Sequence, residues 1–335
     1  MALQRIRKVS TDSSVNSKPP KVSIVIPVFN GAKTIGRMVE QLMTELGNAY
    51  LLEIVLVNDA SLDDSEAVCA ALFARFPEAV RFYSLARNVG EHNAVMAGLQ
   101  HATGEYLVIM DDDFQNPVSE VGKLVETIRA KDVDVVYSWY ERKRHSLFRN
   151  FGSWFNDKAA NWMLQKPRDL YLSSFKVMNR FLVNEITKST SPFSYIDGLI
   201  LQNTAKIGRV QVKHAARQEE RSGYTLRKLT RLWLSMLTNF SILPLRVSMI
   251  LGFVFSGLAV ILGVIVVIEK MANPGLPVGY TSIFVVVSLL AGVQLILLGV
   301  VGEYVGRIFL LLNRKPQFTI RKAWEPNDEE KISDG

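Results

Sequence analysis

The chain has 335 residues, enough for one large domain or two ordinary ones, and 48% of them are apolar. Its formal charge of +7, from 39 Lys and Arg against 32 Asp and Glu, could suit nucleic acid. The basic residues, however, gather around two long apolar stretches, which a membrane surface and phosphate-bearing substrates explain better than a nucleic-acid partner does. The one cysteine, Cys69 within AVCAALFARF, fits a reducing compartment and reads as helix core rather than as a nucleophile.

Residues 1–20 carry Gln4, Arg5, Arg7 and Lys8 ahead of a polar, Pro-ended stretch with no apolar centre. They read as a mobile tail and not as a signal peptide. From Lys21 to Trp139 short apolar runs alternate with helical patterns. VSIVIPV, EIVLVND, VRFYSL, EYLVIM and VDVVYSW read as buried strands, with amphipathic helices such as Ala32–Leu46 and Asp63–Phe76 between them. Ser61 with Asp64 three residues on resembles a capping box for the second helix. Strands alternating with helices predict an α/β fold with a mostly parallel sheet, whose ligands sit at the carboxyl ends of the strands. The sequences VNDAS, RNVG and MDDDFQ all fall at such ends. Dinucleotide and P-loop readings both fail: G-x-G-x-x-G is absent, and GAKTIGR ends in Gly-Arg where Lys-Ser/Thr would be needed.

The segment 224–245 puts Arg227, Lys228, Arg231, Ser235, Thr238 and Asn239 on one helical face. Leu226, Leu229, Trp233, Met236, Leu237 and Phe240 fall on the other. Such a helix either packs on the preceding domain or lies among lipid headgroups, and its adjacency to an apolar stretch favours the second. Val247–Ile268 and Thr281–Gly302 are free of charge and long enough to cross a bilayer. Basic residues precede the first span and follow the second, while the loop Glu269–Tyr280 holds one Lys and one Glu. The positive-inside rule then places both termini and the catalytic domain in the cytoplasm, at the inner (plasma) membrane. The expected organisation is a tail (1–20), an α/β domain (21–223), a juxtamembrane helix (224–245), a two-helix hairpin (246–304) and a C-terminal tail (305–335).

Three aspartates close the run VIMDDD. In an extended chain Asp111, Asp113 and Gln115 would point one way and Asp112 the other. Two carboxylates and an amide are hard oxygen donors suited to Mg2+ or Mn2+. An acidic turn facing solvent is the plainer reading. The position after a buried strand, on the same edge as VNDAS and RNVG, favours the cation.

From about residue 21 to 322 the chain resembles the polyprenyl-phosphate sugar transferases of glycosyltransferase family 2. The resemblance is carried by IPVFN, VNDASLDDS, NVGEHNAVMAGLQHATGEYLVIMDDDFQNP, HAARQEERSGYTLRKL, PLR and GEYVGRI. It implies a GT-A nucleotide-sugar fold and inverting transfer of one sugar, from a UDP-sugar such as UDP-glucose, to undecaprenyl or another polyprenyl phosphate. By that resemblance Pro27, Phe29, Asn30, Asp59, Asn88, Gly90, Asp111 and Asp112 bind the donor, with Asp59 reading the base edge. Asp113 and Gln115 hold Mg2+ or Mn2+, and Asp111, Asp113 and Asp169 are the catalytic carboxylates. Lys176, Arg180, Arg217, Ser222, Tyr224 and Lys228 take the acceptor phosphate, joined by Lys213, His214 and Arg221 in the same stretch. A homo-tetramer is implied as well.

Several positions depart from the family pattern. Gly31 stands where Glu is frequent, and Asn58 and Ala60 flank Asp59 in place of Asp and Gly. Lys176 replaces Arg, and Ser174 stands where many members carry an acid, which weakens Asp169 as a base and leaves Asp197 as an outside candidate. Two rival readings are a processive polysaccharide synthase, whose Q-x-x-R-W segment is absent, and a non-catalytic nucleotide-binding membrane scaffold.

Overall fold

Val and Ile runs that bury both faces form the middle of one sheet. In the computed structural model, which describes residues 19–140, 170–192, 194–213, 243–274, 279–313 and 316–326, the strands are β1 (Lys21–Val28), β2 (Leu51–Asn58), β3 (Val80–Leu85), β4 (Tyr106–Ile109), β5 (Val135–Trp139), β6 (Lys176–Asn179), β7 (Ile207–Gln211) and β8 (Ile320–Trp324). Their order across the sheet is β7-β5-β6-β4-β1-β2-β3-β8. β1 pairs parallel with β2 and β4, β2 with β3, and β5 with β7, whereas β6 runs antiparallel to β4 and β5, and β8 antiparallel to β3. The sheet is therefore mixed.

Strand alternation sorts the core into two layers. Val22, Ile24, Ile26 and Val28 face α1 (Ile35–Leu46), α2 (Ser65–Arg75) and α4 (Val121–Ala130). Val25, Val55 and Val57 face α3 (Glu91–His101), α5 (Arg180–Ile186) and α6 (Ile196–Asn203). Each fully buried Val, Ile or Leu contributes roughly 1.5–3 kcal/mol, so the central strands are firmly held and can carry strained loops. Cys69 lies fully buried in α2, and burial, then the nearby charges of Asp112, Asp63 and Glu66, push its thiol up to about 12. It is core, as expected.

The last strand is a departure from the expected C-terminal tail. Trp324 stacks on Phe82 with ring centroids 4.5 Å apart, Tyr83 Oη donates to Glu325 Oε1 (2.5 Å), and Gln317 Nε2 donates to Ser189 O (2.6 Å). The segment IRKAW alternates too weakly to read as a strand, but it closes the open side of β3.

Two further helices, α7 (Leu243–Ala272) and α8 (Tyr280–Leu312), are long and apolar enough to cross a membrane. Their side chains are not core: Phe253 is 72% exposed and Leu295 69%. A helix this apolar in a protein interior would be covered by other elements, and these are not.

Since β1 to β4 are mutually parallel, their carboxyl ends share one edge. Chain order reverses at β1, with β2 on one side and β4 on the other, so a crevice opens between the loops after β1 and β4. Among the described residues, the only non-glycine residues with positive φ are Asn30 (57°), Ala60 (52°) and Phe114 (58°). They lie in the loops after β1, β2 and β4, so strain collects at that edge. For a residue with a Cβ the left-handed conformation costs about 1–2 kcal/mol; glycine avoids it, less its own entropy of about 0.5–1 kcal/mol. Ala60→Gly is accordingly expected to raise unfolding stability by about 0.5–1 kcal/mol, read from the midpoint of chemical denaturation. A lowered midpoint would show that the loop is not strained there.

Candidate active site

The loops after β1 and β2 are built as one piece. Asn30 N donates to Ser61 Oγ (3.0 Å), Leu62 N to Asn30 Oδ1 (2.9 Å), Gly31 N to Ser65 Oγ (2.9 Å) and Ala32 N to Asp63 Oδ2 (3.1 Å). These cross-links hold the chain out of helical geometry, so α1 begins at Ile35 rather than Ala32, and α2 at Ser65 rather than Asp63. The capping box expected at Ser61 and Asp64 does not form. Ser61 serves Asn30 instead, and it is Asp63 Oδ1 that accepts from Ser65 N (3.1 Å). Phe29, 48% exposed, and the exposed Leu62 stand beside these loops, with Pro27 near the end of β1.

Across the crevice, a Cβ placed on Gly31 would lie 1.9 Å from Asp112 Oδ2. Glycine at 31 is thus what lets the Asp112 carboxylate pack against the β1 loop. A Glu in its place would displace Asp112.

The expected alternation of Asp111, Asp113 and Gln115 is not kept. The chain leaves the strand after Ile109, Phe114 turns left-handed, and Gln115 N donates to Asp113 Oδ1 (3.0 Å). A side chain that bonds the backbone two residues on makes a turn in preference to an extended strand. All three residues remain partly exposed at the crevice edge. Asp111 Oδ2 accepts from Ser174 Oγ (2.7 Å), and the Arg37 guanidinium lies 5.5 Å from the Phe114 ring centre. Among the described residues no group of three or more His, Cys, Asp and Glu forms a ready cation cage.

Asp59, expected to read the base edge, is buried with both carboxylate oxygens turned to the backbone. Its Oδ1 accepts from Val89 N (2.7 Å) and Oδ2 from Gly90 N (2.9 Å), while Asn88 Nδ2 donates to Asp59 O (3.2 Å). Burial raises its pKa, against the two N–H bonds that lower it. Asp59 therefore fixes the Asn88–Gly90 loop as a wall of the crevice. The structure does not aim it into the opening.

Two acceptor-side expectations are corrected. Lys176 does not face an incoming phosphate: its side chain is 4% exposed and its ammonium is paired with Asp197 Oδ1, which also accepts from Tyr137 Oη (2.8 Å). Arg180 lies on the opposite edge of the sheet, because β6 is antiparallel to β4 and Tyr106 pairs with Asn179. Its Nε donates to Gly104 O (2.9 Å). Strand direction, which apolar patterning does not encode, sends the two cations of KVMNR to opposite ends. Asp197, the outside candidate for a base, is held by this buried pair.

Glu91, at the start of α3 beside Gly90, was not singled out by the sequence, although NVGEHN placed it at the edge. Glu91 is exposed at the edge, yet desolvation by the surrounding protein, followed by the negative charge of Asp111, pushes its pKa up to about 7. Asp197 and Asp113 add to the rise, and Lys176 opposes it. Asp169, Arg217, Ser222, Tyr224 and Lys228, with His214 and Arg221, lie outside the described residues. Lys213 is exposed just past β7.

Residues 23–187 match the family model for glycosyl transferase family 2. The chain is 33% identical over 320 residues to the undecaprenyl-phosphate 4-deoxy-4-formamido-L-arabinose transferase of Sodalis glossinidius, covering 91% of this chain and 94% of that protein. It is 30% identical over 308 residues to the prophage bactoprenol glucosyl transferase homolog of Escherichia coli (90% and 99% covered) and 32% over 311 residues to the bactoprenol glucosyl transferase of Shigella phage SfII (92% and 99%). Among solved structures, a glucosyl-3-phosphoglycerate synthase from Mycobacterium tuberculosis is 16% identical with a TM-score of 0.48, covering 66% of this chain and 80% of that one. With relatives of 30–33% identity matched over nearly their whole length, the chain belongs to glycosyltransferase family 2 and is a glycosyltransferase.

Proposed function

We propose that the protein transfers one sugar from a UDP-sugar, UDP-glucose first among them, to undecaprenyl or another polyprenyl phosphate at a membrane, with inversion and with Mg2+ or Mn2+. The polyprenyl-phosphate names of its relatives point the same way.

The observation that carries the reading is where the chain goes to and returns from its two apolar helices. β7 runs parallel to β5 and ends on the crevice edge, so Lys213 and the stretch leading to α7 depart from that edge. β8 is antiparallel to β3, with Ile320 opposite Leu85, so the chain coming from α8 re-enters the sheet at the same edge. Gln317 is already anchored on Ser189. Leu312, the end of α8, lies five positions earlier, which limits the gap to about 17 Å. A lipid phosphate at the surface crossed by α7 and α8 would therefore meet the crevice edge and not the opposite one.

The chemistry follows from charge. A phosphate monoester has its second pKa near 6 and is largely ionised at neutral pH, so the acceptor needs no strong base. Its oxygen forms a bond to the anomeric carbon while the bond to the donor's β-phosphate oxygen breaks, and the electron pair leaves with UDP. A single displacement inverts the centre. Asp59 and Gly31 shape the donor crevice, while Asp111 borders the diphosphate. The residues fit a cation: Asp113 and Gln115 bring hard oxygen donors to a partly exposed turn. A divalent ion held by Asp113 and Gln115 would neutralise the charge building on the departing diphosphate.

Purified protein given radiolabelled UDP-sugars and undecaprenyl phosphate should form labelled lipid only with Mg2+ or Mn2+. Asp113→Ala should lower the rate on the order of 10²–10³-fold. Binding of nucleotide sugars across a panel without any lipid product would overturn the reading in favour of a scaffold. A second expectation concerns pH. Because Glu91 binds its proton more tightly in the folded protein than at its ordinary 4.5, its contribution to stability is complete below that pH and is lost as pH rises through about 7. The Tm of metal-free protein should show this decline, and Glu91→Gln should flatten it. An unchanged slope in the variant would remove Glu91 from the electrostatics of the edge.

A further inference from the structure

Ser174 carries no charge of its own, yet the structure gives it and its neighbour a definite task. Ser174 Oγ donates to Asp111 Oδ2 at 2.7 Å, at the first residue of the acidic turn. At the other end of the turn, buried Asn116 accepts from Tyr140 Oη at 2.6 Å, and Tyr140 Oη lies 3.3 Å from Ser173 Oγ. Ser173 is buried too, accepts from Phe175 N (3.2 Å) and lies 2.8 Å from the Ser138 hydroxyl, which donates to Phe175 O (2.7 Å). The dipeptide entering β6 thus bonds one end of the run Asp111–Asn116 directly, through Ser174, and backs the other through Tyr140, which Ser173 touches. The four residues between these ends include the strained Phe114.

We infer that Ser174 is a positioning residue: by donating to Asp111 while Ser173 and Tyr140 hold Asn116, it fixes the turn that carries Asp113 and Gln115 in the geometry needed for a divalent cation and a diphosphate. A hydroxyl suits this task better than a carboxyl would. Opposite an ionised Asp111 it can only donate, whereas a second carboxylate would repel Asp111 unless it took up a proton. The same choice leaves no base at position 174, which suits a nucleophile that arrives ionised, as a phosphate does. This inference rests on the proposed transfer for its kinetic arm alone.

The test uses the full-length protein in detergent, with Mn2+ in the presence of UDP as the probe, titrated by electron paramagnetic resonance. Ser174→Ala should weaken Mn2+ binding about 10-fold or more, as loss of a bond that orients a ligand group does. It should lower kcat by a similar factor while the KM for undecaprenyl phosphate stays within about two-fold. Ser174→Thr, which keeps the hydroxyl, should restore both. Tyr140→Phe, which loses the hydroxyl that holds Asn116, should weaken Mn2+ in the same direction, and it decides the question if Ser174→Ala does not fold. Wild-type Mn2+ affinity in Ser174→Ala, or in Tyr140→Phe where that variant stands in for it, would overturn the inference. Wild-type protein that makes no lipid product would sink the transfer reading, while the Mn2+ arms would still judge Ser174.

Discussion

The close approach of the β1 loop to the β4 loop is the constraint on which the rest of the polar edge depends. With a Cβ at position 31 only 1.9 Å from Asp112 Oδ2, there is room for one arrangement. Asp112 packs against the β1 loop, and its neighbours Asp111 and Asp113 stay partly exposed beside it. The β2 loop is then stitched to the β1 loop through Ser61, Asp63 and Ser65, and the Asn88–Gly90 loop is tied to β2 through Asp59. Three loops become one wall. Their strain at Asn30, Ala60 and Phe114 is sustained by strands whose apolar side chains are fully buried on both faces. Rigid walls matter here because carboxylates held together repel, and flexible ones would move apart before a cation or phosphate arrived.

Much of this was legible in the sequence because it depends on local patterning. Runs such as VSIVIPV and VRFYSL need to be buried on two sides, and the turn-forming residues after them mark one edge. What was illegible depends on partners far along the chain or on strand direction. Nothing near Lys176 announces that Asp197 will take its charge. Only the antiparallel pairing of Tyr106 with Asn179 sends Arg180 to the far side. Asp111, Asp113 and Gln115 looked coplanar because alternation assumes an extended chain, and the Asp113–Gln115 bond replaces that with a turn. Ser174 looked like a loss, since a hydroxyl has no charge of its own to notice. Its meaning appears only with Asp111 across from it.

The Lys176–Asp197 pair carries its own energetic logic. Removing two charges from water costs several kcal/mol per ion. A pair of this kind adds little net stability, although breaking it by deleting one partner is typically severe, about 3–5 kcal/mol. Here the pair sits behind the acidic turn. Lys176 lies 5.0 Å from the centre of the Tyr137 ring and lowers the pKa of Glu91 while Asp197 raises it. The arrangement holds positive charge beneath the edge without presenting it to solvent.

The tether to α8 then decides which reactions the edge can serve. A crevice far from α7 and α8 could use only acceptors that diffuse in water. With Gln317 anchored on Ser189 and α8 ending five residues earlier, the end of that apolar helix stays within about 17 Å of Gln317, on the side where β8 enters the sheet. A polyprenyl chain keeps its phosphate at the bilayer surface, because burying that charge in hydrocarbon is far more costly than leaving it hydrated. For an acceptor of that kind, an edge tied to a membrane surface would reduce the search to two dimensions. Closing the sheet with β8 supplies a reason for the chain to return from the second helix at all. It bounds the distance between the end of α8 and the sheet edge at which β8 begins.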